Sequence, residues 1–250
     1  MLTEERFKII LDEIKEKQAV TVGELVQLLN TSESTIRRDL NALSNMGKIN
    51  KVHGGATAID NNYTTEEENV AVKHDLNVED KERIARYAAS LIEENDFVYI
   101  DAGTTTELMI DYITEKKATF VTNGIAHGKK LIQKECKAYI LGGELKLSTE
   151  AIIGVEAINS LRKYNFTKGF FGTNGVSLKS GYSTPDVKEA LVKEEALNRS
   201  KIGYVLADSS KFNKISSVTF GDINKAVIIT TLLDEDKYST YTEIREVDAR

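Results

Sequence analysis

From residue 97 onwards, short apolar runs alternate with segments that have the periodicity of amphipathic helices. The runs lie at residues 97–100, 118–121, 138–141, 169–171, 202–206 and 226–229. A run without polar alternation suits a strand that is buried on both faces, and the helices between such strands act as crossovers in a mainly parallel sheet. The sequence therefore predicts an α/β fold for this part of the chain.

The residues that follow each run are candidates for a site, because ligands of parallel sheets bind beyond the carboxyl ends of the strands. Taken alone, each glycine- and threonine-bearing end could be ordinary turn chemistry. Together they predict a pocket for a small, anionic, hydroxyl-rich molecule, since glycines admit a ligand to the backbone and helix-start amides bind phosphate. The candidates are Asp101, Gly103, Thr104, Thr105, Thr106, Thr122, Asn123, Gly142, Gly143, Glu144, Asn174 and Lys211.

The segment Thr184-Pro185-Asp186 predicts a helix start, with Thr184 as the cap and the chain's single proline at the first helical position. Asp186, Glu189 and Lys193 follow at spacings of three and four, so they share one helix face. Two interpretations stay open. The face is either solvated, with an intrahelical Glu189–Lys193 pair, or it closes over the hydroxyls of the ligand. The second interpretation adds Glu189 to the candidate pocket.

The first part of the chain has a different pattern, in which helical periodicity recurs three times. Residues 4–17 predict a first helix, Thr21 caps a short second helix, and Ser32 caps a third helix after a tight turn at residues 30–31. The third helix ends at Gly47. Helix, short helix, turn and exposed polar helix is the order of a helix-turn-helix unit.

The third helix offers a polar face that suits DNA. Ile36, Leu40 and Leu43 recur at helical spacing and face a core, which turns hydroxyls and paired arginines towards a partner. Such groups suit phosphates and base edges in a major groove. Residues 49–58, broken by two glycines, predict a small β wing that approaches the DNA backbone or minor groove. The candidate DNA contacts are Ser32, Ser34, Thr35, Arg37, Arg38, Lys48, Lys51 and His53. The alternative is an ordinary solvated helix face.

The charge distribution supports DNA binding only locally. The formal net charge is −6 and the pI is near 5.3, so no global basic field attracts nucleic acid. Residues 1–57 contain eight Lys/Arg and eight Asp/Glu, whereas residues 47–57 contain two lysines and no acid. We therefore expect a single copy to bind double-stranded DNA weakly. We expect a homodimer or homotetramer on a two-fold operator, with an affinity that falls steeply with salt.

The predicted domains are residues 1–58, a winged helix-turn-helix; residues 59–76, a linker; and residues 77–250, an effector-binding domain that begins with a helix over residues 79–94. The single cysteine, Cys136, excludes an intrachain disulfide framework, and three scattered histidines give no metal-ligand spacing. We expect no metal and no cofactor. The polar start of the chain and the lack of a long apolar run predict a cytoplasmic protein without a secretory signal or a membrane span.

Residues 32–40, with Arg6 and Ile10 upstream, resemble the DNA-binding signature of the DeoR family of bacterial repressors. Further blocks resemble the effector domain of that family, so the resemblance covers essentially the whole chain. These blocks lie at residues 101–105, 122–123, 141–143 and 208–211. The resemblance implies a C-terminal domain that is similar to ribose-5-phosphate isomerase and that binds phosphorylated sugars as inducers.

Within the family, several segments look most like the fructose-operon repressors, which implies fructose 1-phosphate as the effector. These segments lie at residues 99–106, 109–111, 122–124, 151–154, 171–176 and 204–208, with His127. One departure concerns the wing, where such proteins often carry an arginine before Val-His-Gly-Gly and this chain has Lys51. Contact with phosphate is retained there, whereas bidentate recognition is lost.

The resemblance also implies roles for the residues of the pocket. It puts Asp101 and residues 103–106 at the phosphate and the adjacent hydroxyls of the effector. Because an aspartate beside a phosphate is unfavourable, Asp101 is expected to accept a sugar hydroxyl or to anchor the loop, and Lys211 to balance the anionic charge. The same pocket is lined, by this resemblance, by Thr122, Asn123, Gly142, Gly143 and Lys211.

Two functions are compatible with these features. The first is a repressor of a sugar-utilisation operon, by resemblance that of fructose, whose affinity for DNA is controlled by a phosphorylated sugar. The second is an isomerase or lyase that acts on a sugar phosphate, with Asp101, Glu144, Asp186 or Glu189 as general base. An isomerase does not need a complete helix-turn-helix unit, and this observation favours the repressor.

Overall fold

The computed structural model describes residues 2–17, 19–57, 63–64, 70–231, 233 and 236–247. The chain divides into two compact units, Met1–Asn61 and Asn62–Arg250. Residues 59–62 and 65–69 of the predicted linker lie outside the described residues. The last part of the predicted linker is not a connection, because Val70–His74 forms a helix of the second unit.

Local chemistry sets the boundaries of the helices in the first unit. Thr21 and Glu24 form a capping box, in which each side chain accepts the backbone amide of the other residue. Ser32 accepts the amide of Thr35, and Gly47, at φ +65°, follows the end of the third helix. The predicted caps and this helix end are therefore confirmed. The elements are α1 (Thr3–Lys17), β1 (Ala19–Thr21), α2 (Val22–Leu29), α3 (Glu33–Asn45), β2 (Asn50–Val52) and β3 (Gly55–Thr57).

An apolar core and one ion pair hold these helices together. Ile36, Leu40 and Leu43 of α3 are buried against α1 and α2, as their spacing predicts. Arg6 of α1 donates from Nε to Oδ2 of Asp39 at 2.7 Å and from Nη2 to Oδ1 at 3.1 Å. Because Asp39 is buried and the contact is bidentate, the pair fixes α3 to α1. Asp39 thus belongs to the scaffold and not to the exposed face of α3.

The predicted wing is an antiparallel hairpin of β2 and β3, with β1 pairing along the other side of β3. Gly54, at φ +85°, forms its turn. Gly55 lies against β1 so closely that an added Cβ would sit 2.1 Å from the carbonyl oxygen of Val20. The hairpin therefore depends on glycine at residue 55 for space and at residue 54 for backbone conformation.

The second unit contains the α/β fold predicted from the apolar runs. Its strands are β4 (Tyr63–Thr64), β5 (Phe97–Ile100), β6 (Thr119–Thr122), β7 (Lys137–Ile140), β8 (Glu144–Lys146), β9 (Ala151–Ile153), β10 (Phe166–Gly172), β11 (Gly175–Ser177), β12 (Gly181–Thr184), β13 (Ser200–Leu206), β14 (Ile215–Ser216), β15 (Val218–Gly221), β16 (Val227–Thr230) and β17 (Ile244–Glu246). Its helices are α4 (Val70–His74), α5 (Val78–Ser90), α6 (Thr104–Asp111), α7 (Ile125–Gln133), α8 (Val155–Leu161) and α9 (Val187–Asn198).

Seven of the described strands form a sheet in the order β17-β16-β13-β10-β5-β6-β7, with every neighbouring pair parallel. Six of them coincide with the predicted apolar runs. One face packs on α5, α6 and α7, and the other packs on α8 and α9. The interior strands β5, β6, β10, β13 and β16 are largely buried on both faces, which explains their lack of polar alternation, whereas the edge strand β7 is mostly exposed. The carboxyl ends of β5, β10 and β13 consequently lie side by side.

Shorter strands form three separate small sheets in the described part of this unit. The hairpin of β8 and β9 follows β7, the antiparallel sheet β11-β12-β15 follows the carboxyl end of β10, and β14 pairs in parallel with β4. These strands have two to four residues, and the apolar runs from which the sheet was predicted do not include them. The hairpin of β8 and β9 and the strand β12 lead directly into residues of the candidate pocket.

Two predicted helix boundaries are wrong. The helix predicted over residues 79–94 ends at Ser90, since Asn95 adopts a left-handed conformation and Glu93 donates its amide to the side chain of Asp96. Thr184 does not cap α9, because it is the last, fully buried residue of β12. The cap is Asp186, whose Oδ1 accepts the amide of Glu189 at 2.9 Å.

The two adjacent glycines of the wing provide a test of the packing. Gly55→Ala should disrupt the pairing of β1 with β3, because its methyl group has no space beside a backbone carbonyl. Gly54→Ala is the matched control, which meets open space and carries only left-handed strain of about 1–2 kcal/mol. We expect faster amide hydrogen exchange at residues 19–21 and 55–57 in Gly55→Ala. Equal exchange in the two variants would contradict this packing.

Candidate functional site

In the first unit, the predicted DNA contacts lie at the surface. Thr35 is half-buried and the other candidates are exposed; these are Ser32, Ser34, Arg37, Arg38, Lys48, Lys51 and His53. Burial of Ile36, Leu40 and Leu43 on the opposite side of α3 produces this exposure. The first unit therefore presents its polar helix face and its wing to solvent.

The groups on α3 differ in how they are held. Ser32 Oγ lies 2.9 Å from both Ser34 Oγ and Thr35 Oγ1, so three hydroxyls share hydrogen bonds at the start of the helix. Arg37 Nε donates to Glu33 Oε1 at 3.1 Å along the helix surface. In the described part of the chain, the side chain of Arg38 makes no hydrogen bond or ion pair. Arg38 is thus the arginine that is available to an anionic partner without first losing a carboxylate.

In the second unit, a pocket opens at the carboxyl ends of β5, β10 and β13. It is lined by the loops that follow these strands, by α4 and the turn after it, and by one face of α9. The lining residues are Val70, Lys73, Leu76, Asn77, Lys81, Ala102, Gly103, Thr104, Thr105, Thr149, Gly172, Thr173, Asn174, Glu189, Lys193, Leu206, Asp208 and Lys211. The pocket thus occupies the place where parallel sheets bind ligands.

The start of α6 forms one end of the pocket. Gly103 is its N-cap residue, and among the described residues no side chain caps the helix. The first amides of a helix have no partner within it and carry the positive end of its dipole. Thr104 and Thr105 add hydroxyls on the pocket wall. Lys211 also lines the pocket, and its side chain makes no hydrogen bond or ion pair in the described part of the chain. These groups are suited to bind a small anion.

A buried ion pair supports this end of the pocket. Lys193 Nζ contacts Asp101 Oδ2 and donates to the carbonyl of Gly172 at 3.1 Å, while Asp101 Oδ2 accepts the amide of Gly172 at 3.1 Å. Burial raises the pKa of Asp101, and the charge of Lys193 and these hydrogen bonds act against that rise. Asp101 is 1% exposed. It anchors the ends of β5, β10 and α9, which agrees with the anchoring role considered for it.

The loop after β5 is held from behind by side chains of β6 and α7. Asn123 Oδ1 accepts the amide of Ala102 at 2.8 Å, and Thr106 Oγ1 lies 3.1 Å from His127 Nε2. Burial lowers the pKa of His127 to about 3, so the imidazole is neutral near neutral pH. Thr122 Oγ1 accepts the amide of Gly124 at 3.0 Å. Asn123, Thr106 and His127 hold the loop after β5, Thr122 holds the turn after β6, and all four side chains are buried.

Glu189 supplies the acidic side of the pocket. Its Oε1 accepts a hydrogen bond from Thr149 at 2.5 Å and lies 3.4 Å from Lys146 Nζ. Lys146 also lies 3.1 Å from Asp186. The predicted Glu189–Lys193 pair on a solvated face is wrong, since both residues are buried and Lys193 binds Asp101 instead. The face of α9 therefore points into the unit and contributes to the pocket.

The predicted pocket residues fall into three groups. Gly103, Thr104, Thr105, Asn174, Glu189 and Lys211 line the pocket. Asp101, Thr106 and Asn123 are buried and hold the loop after β5, and the buried Thr122 holds the turn after β6. Gly142 and Gly143 lie between β7 and β8, Glu144 begins β8, and all three are exposed; Glu144 pairs with Lys188 at 2.6 Å. They are absent from the described pocket lining, so any contact with an effector stays a prediction.

Sequence reasoning missed part of the lining. Helical spacing placed Lys193 on the face of α9 that lines the pocket, and Asp208 belongs to the block at residues 208–211 that resembles the effector domain of the family. Nothing in the sequence indicated Asn77, Lys81 or Thr149, because these residues reach the pocket through tertiary packing from a turn, a helix and a hairpin. Among the described residues, no group of three or more His, Cys, Asp or Glu could hold a metal ion. No helix in that part of the chain has the length and apolar character to cross a membrane.

The buried ion pair predicts a pH-dependent defect. The pKa of Asp101 is already raised by burial, and in Lys193→Met the carboxyl loses its cation while the burial persists, so its folded-state pKa rises further above the unfolded value of about 3.9. The folded chain then keeps a proton that the unfolded chain releases. The resulting stability is present at low pH and is lost as the pH rises.

We expect Lys193→Met to lower the free energy of unfolding by about 3–5 kcal/mol near neutral pH, and by less near pH ~4.5. Urea denaturation at the two pH values measures this difference. Lys188→Met, on the exposed part of the same helix, is the control and should lose little at either pH. The same loss at both pH values in Lys193→Met would show that the Asp101 carboxylate is not the cause.

Comparison with known proteins assigns both units. Residues 6–62 match the DeoR-like helix-turn-helix domain, and residues 76–232 match the DeoR C terminal sensor domain. The uncharacterized HTH-type transcriptional regulator FruR of Bacillus subtilis (strain 168) is 46% identical over 244 residues, which are 97% of this chain and 96% of that protein. The lactose phosphotransferase system repressor of Staphylococcus aureus (strain N315) is 34% identical over 247 residues, 97% of this chain and 98% of that protein.

Among solved structures, ribose 5-phosphate isomerase A from Neisseria gonorrhoeae is similar with a TM-score of 0.41 and 17% identity, over 54% of this chain and 53% of that chain. The matching domain families and these sequence relatives are regulators of transcription and not enzymes, so the isomerase interpretation of the sequence is not supported. The predicted fold class and the predicted family are confirmed. The chain belongs to the DeoR family of transcriptional regulators.

Proposed function

We propose that this protein represses a sugar-utilisation operon and that a phosphorylated sugar in the pocket of the second unit controls its affinity for the operator. The observation that carries the proposal is the pocket itself. Its lining combines the uncapped start of α6, the Thr104 and Thr105 hydroxyls and Lys211 with the carboxylate of Glu189. A molecule that carries both a phosphate and hydroxyls matches both kinds of group.

The phosphate is proposed to lie between α6 and Lys211. Helix-start amides and a lysine supply charge-assisted hydrogen bonds to an anion without a metal ion. Asp101 does not repel the phosphate, because it lies behind the loop and is neutralised by Lys193. This placement retains the expected phosphate role for residues 103–105 and for Lys211, and makes Asp101 and Thr106 supports of the loop.

The sugar hydroxyls are proposed to lie towards α9. Glu189 accepts hydrogen bonds, and Thr149, Thr173 and Asn174 offer hydroxyl and amide groups on the same wall. Glu189 already accepts a hydrogen bond from Thr149, so a sugar hydroxyl can join or replace that bond. A pocket that pairs its buried polar groups with hydroxyls rejects analogues that lack them, because the groups would be left unsatisfied.

Fructose 1-phosphate is the proposed effector and a fructose operon the proposed target. The support comes from the identity to a relative named FruR over nearly the whole chain and from the segments that resemble fructose-operon repressors. A second relative is named as a repressor of the lactose phosphotransferase system, which keeps other sugar phosphates in the test as competitors.

The DNA is proposed to meet the exposed face of α3 and the wing. Arg38 and the hydroxyls of Ser32, Ser34 and Thr35 would enter the major groove, while Lys48, Lys51 and His53 would contact the backbone or minor groove. With a formal net charge of −6, one copy attracts DNA weakly, so the functional form is proposed to be a homodimer or homotetramer on a two-fold site. This function places the protein in the cytoplasm.

Operator binding tests the DNA-reading face. Arg38→Ala should weaken binding of the operon's promoter DNA at least about 10-fold at fixed salt and reduce the salt dependence by about one phosphate contact. Fluorescence anisotropy measures both quantities. Lys163→Ala, which removes one positive charge from the second unit, is the control and should leave the affinity within about 3-fold of wild type. Wild-type binding by Arg38→Ala would show that α3 does not read the DNA as proposed.

Effector binding tests the pocket. Thr105→Ala and Lys211→Gln should each weaken the affinity for fructose 1-phosphate at least about 10-fold while operator affinity without effector stays unchanged. Isothermal calorimetry and anisotropy separate the two properties. Lys225→Gln, at an exposed position of the same unit, is the control for lost charge. If fructose 1-phosphate fails to bind the wild type or to change its operator affinity, the effector assignment is wrong, and a panel of other sugar phosphates decides the class.

A further inference from the structure

One wall of the pocket is built from the first helix of the second unit. Val70 and Lys73 of α4 line it, together with Leu76 and Asn77 of the turn that follows. Among the described residues, α4 is the first helix along the chain after the DNA-binding unit. A ligand in the pocket would therefore contact the start of the second unit as well as the ends of its strands.

Asn77 joins this wall to the turn that carries Lys211. Its Nδ2 donates to Asp208 Oδ1 at 3.0 Å and lies within hydrogen-bond distance of Ser210 Oγ, at 3.2 Å. Asp208 Oδ1 also accepts the backbone amide of Ser210 at 3.0 Å, so it holds the turn Ser209–Lys211 in shape. Asn77, Asp208 and Ser210 thus form one polar cluster beside Lys211. An anion that draws Lys211 towards α6 acts on the bonds of Asn77.

The conformation of Asn77 points to a role other than helix capping. Asn77 is the N-cap residue of α5, a position where asparagine is favoured because its side chain accepts an amide of the first turn. Here the side chain makes no such bond and reaches a turn more than a hundred residues away in sequence. Its φ of +51° is left-handed, which asparagine tolerates better than other non-glycine residues. The left-handed backbone and the side chain of Asn77 together make the contact with the turn at residues 208–211.

Other contacts hold α4 to the rest of the unit. The amide of Val70 donates to the carbonyl of Ser148 at 3.2 Å, and His74 Nε2 lies 3.4 Å from Glu107 Oε2. Neither contact involves the turn at residues 208–211. The loss of the Asn77 side chain should therefore leave α4 attached while it separates α4 from the anion-binding turn.

We propose that Asn77 is the positioning residue that couples an anion bound at Lys211 to α4 and, through α4, to the operator affinity of the first unit. The inference rests on the proposed function for the effector's identity, and it extends that function by naming the contact that reports occupancy. An effector changes DNA affinity only when it binds two arrangements of the protein with different free energies. The Asn77 contact supplies such a difference, because its hydrogen bonds depend on the position of the turn.

The test uses Asn77→Gly in the full chain, since glycine adopts the left-handed conformation without strain and only the side chain is lost. At saturating fructose 1-phosphate, where any change in effector affinity no longer matters, we expect the effector-induced change in operator Kd to shrink at least about 5-fold. Asn95→Gly is the matched control, because Asn95 is an exposed asparagine at φ +66°. A wild-type response by Asn77→Gly would overturn the proposal.

Two further variants and a second probe sharpen the result. Ser210→Ala should reduce the response in the same direction, and Asn77→Gly combined with it should add little, because the two changes remove one shared contact. Inorganic phosphate is the second probe, since it needs only the anion end of the pocket. It should slow amide hydrogen exchange at residues 70–77 in the wild type and not in Asn77→Gly. If fructose 1-phosphate does not change the operator affinity of the wild type, the proposed effector is wrong. Equal slowing of amide exchange by phosphate in both proteins overturns the role of Asn77.

Discussion

The pocket of the second unit depends on the buried ion pair between Asp101 and Lys193. Each charge alone would be expensive to bury, and their contact, together with the amide and carbonyl of Gly172, satisfies both. The pair ties the end of β5 to the end of β10 and draws α9 onto the sheet. The loop after β5 is thereby held with its glycine and threonines towards the pocket, and Glu189, one helical turn before Lys193, is brought into the same lining.

In the first unit, a buried carboxylate is likewise neutralised by an ion pair. Arg6 and Asp39 fix α3 to α1, so the polar side of α3 is free for a partner while an acidic residue on the same helix is neutralised. In both units a carboxylate that sequence reasoning could have assigned to a ligand or to solvent serves the scaffold. The groups proposed to meet a phosphate are then cations, hydroxyls and helix-start amides. An acidic chain can in this way present local sites for phosphates, whether these belong to DNA or to a sugar.

Much of the fold could be predicted because its signals are local. The caps at Thr21 and Ser32 depend on residues three positions apart, and the buried strands depend on consecutive apolar residues. The position of the pocket could be predicted, because parallel strands bring their carboxyl ends together. Its lining was less predictable. Thr149 and Asn77 reach it through a hairpin and a turn. Helical spacing paired Lys193 with Glu189, whereas the packing of α9 on the sheet pairs it with the buried Asp101.

The central claim is that the pocket at the ends of β5, β10 and β13 binds the phosphate of a sugar at the start of α6. A crystal structure of the full chain with fructose 1-phosphate tests this most directly. We predict phosphate oxygens within about 3 Å of Lys211 Nζ and of the Thr104 and Thr105 amides, and sugar hydroxyls beside Glu189. A phosphate bound away from α6, or a sugar phosphate bound outside this pocket, would contradict the account.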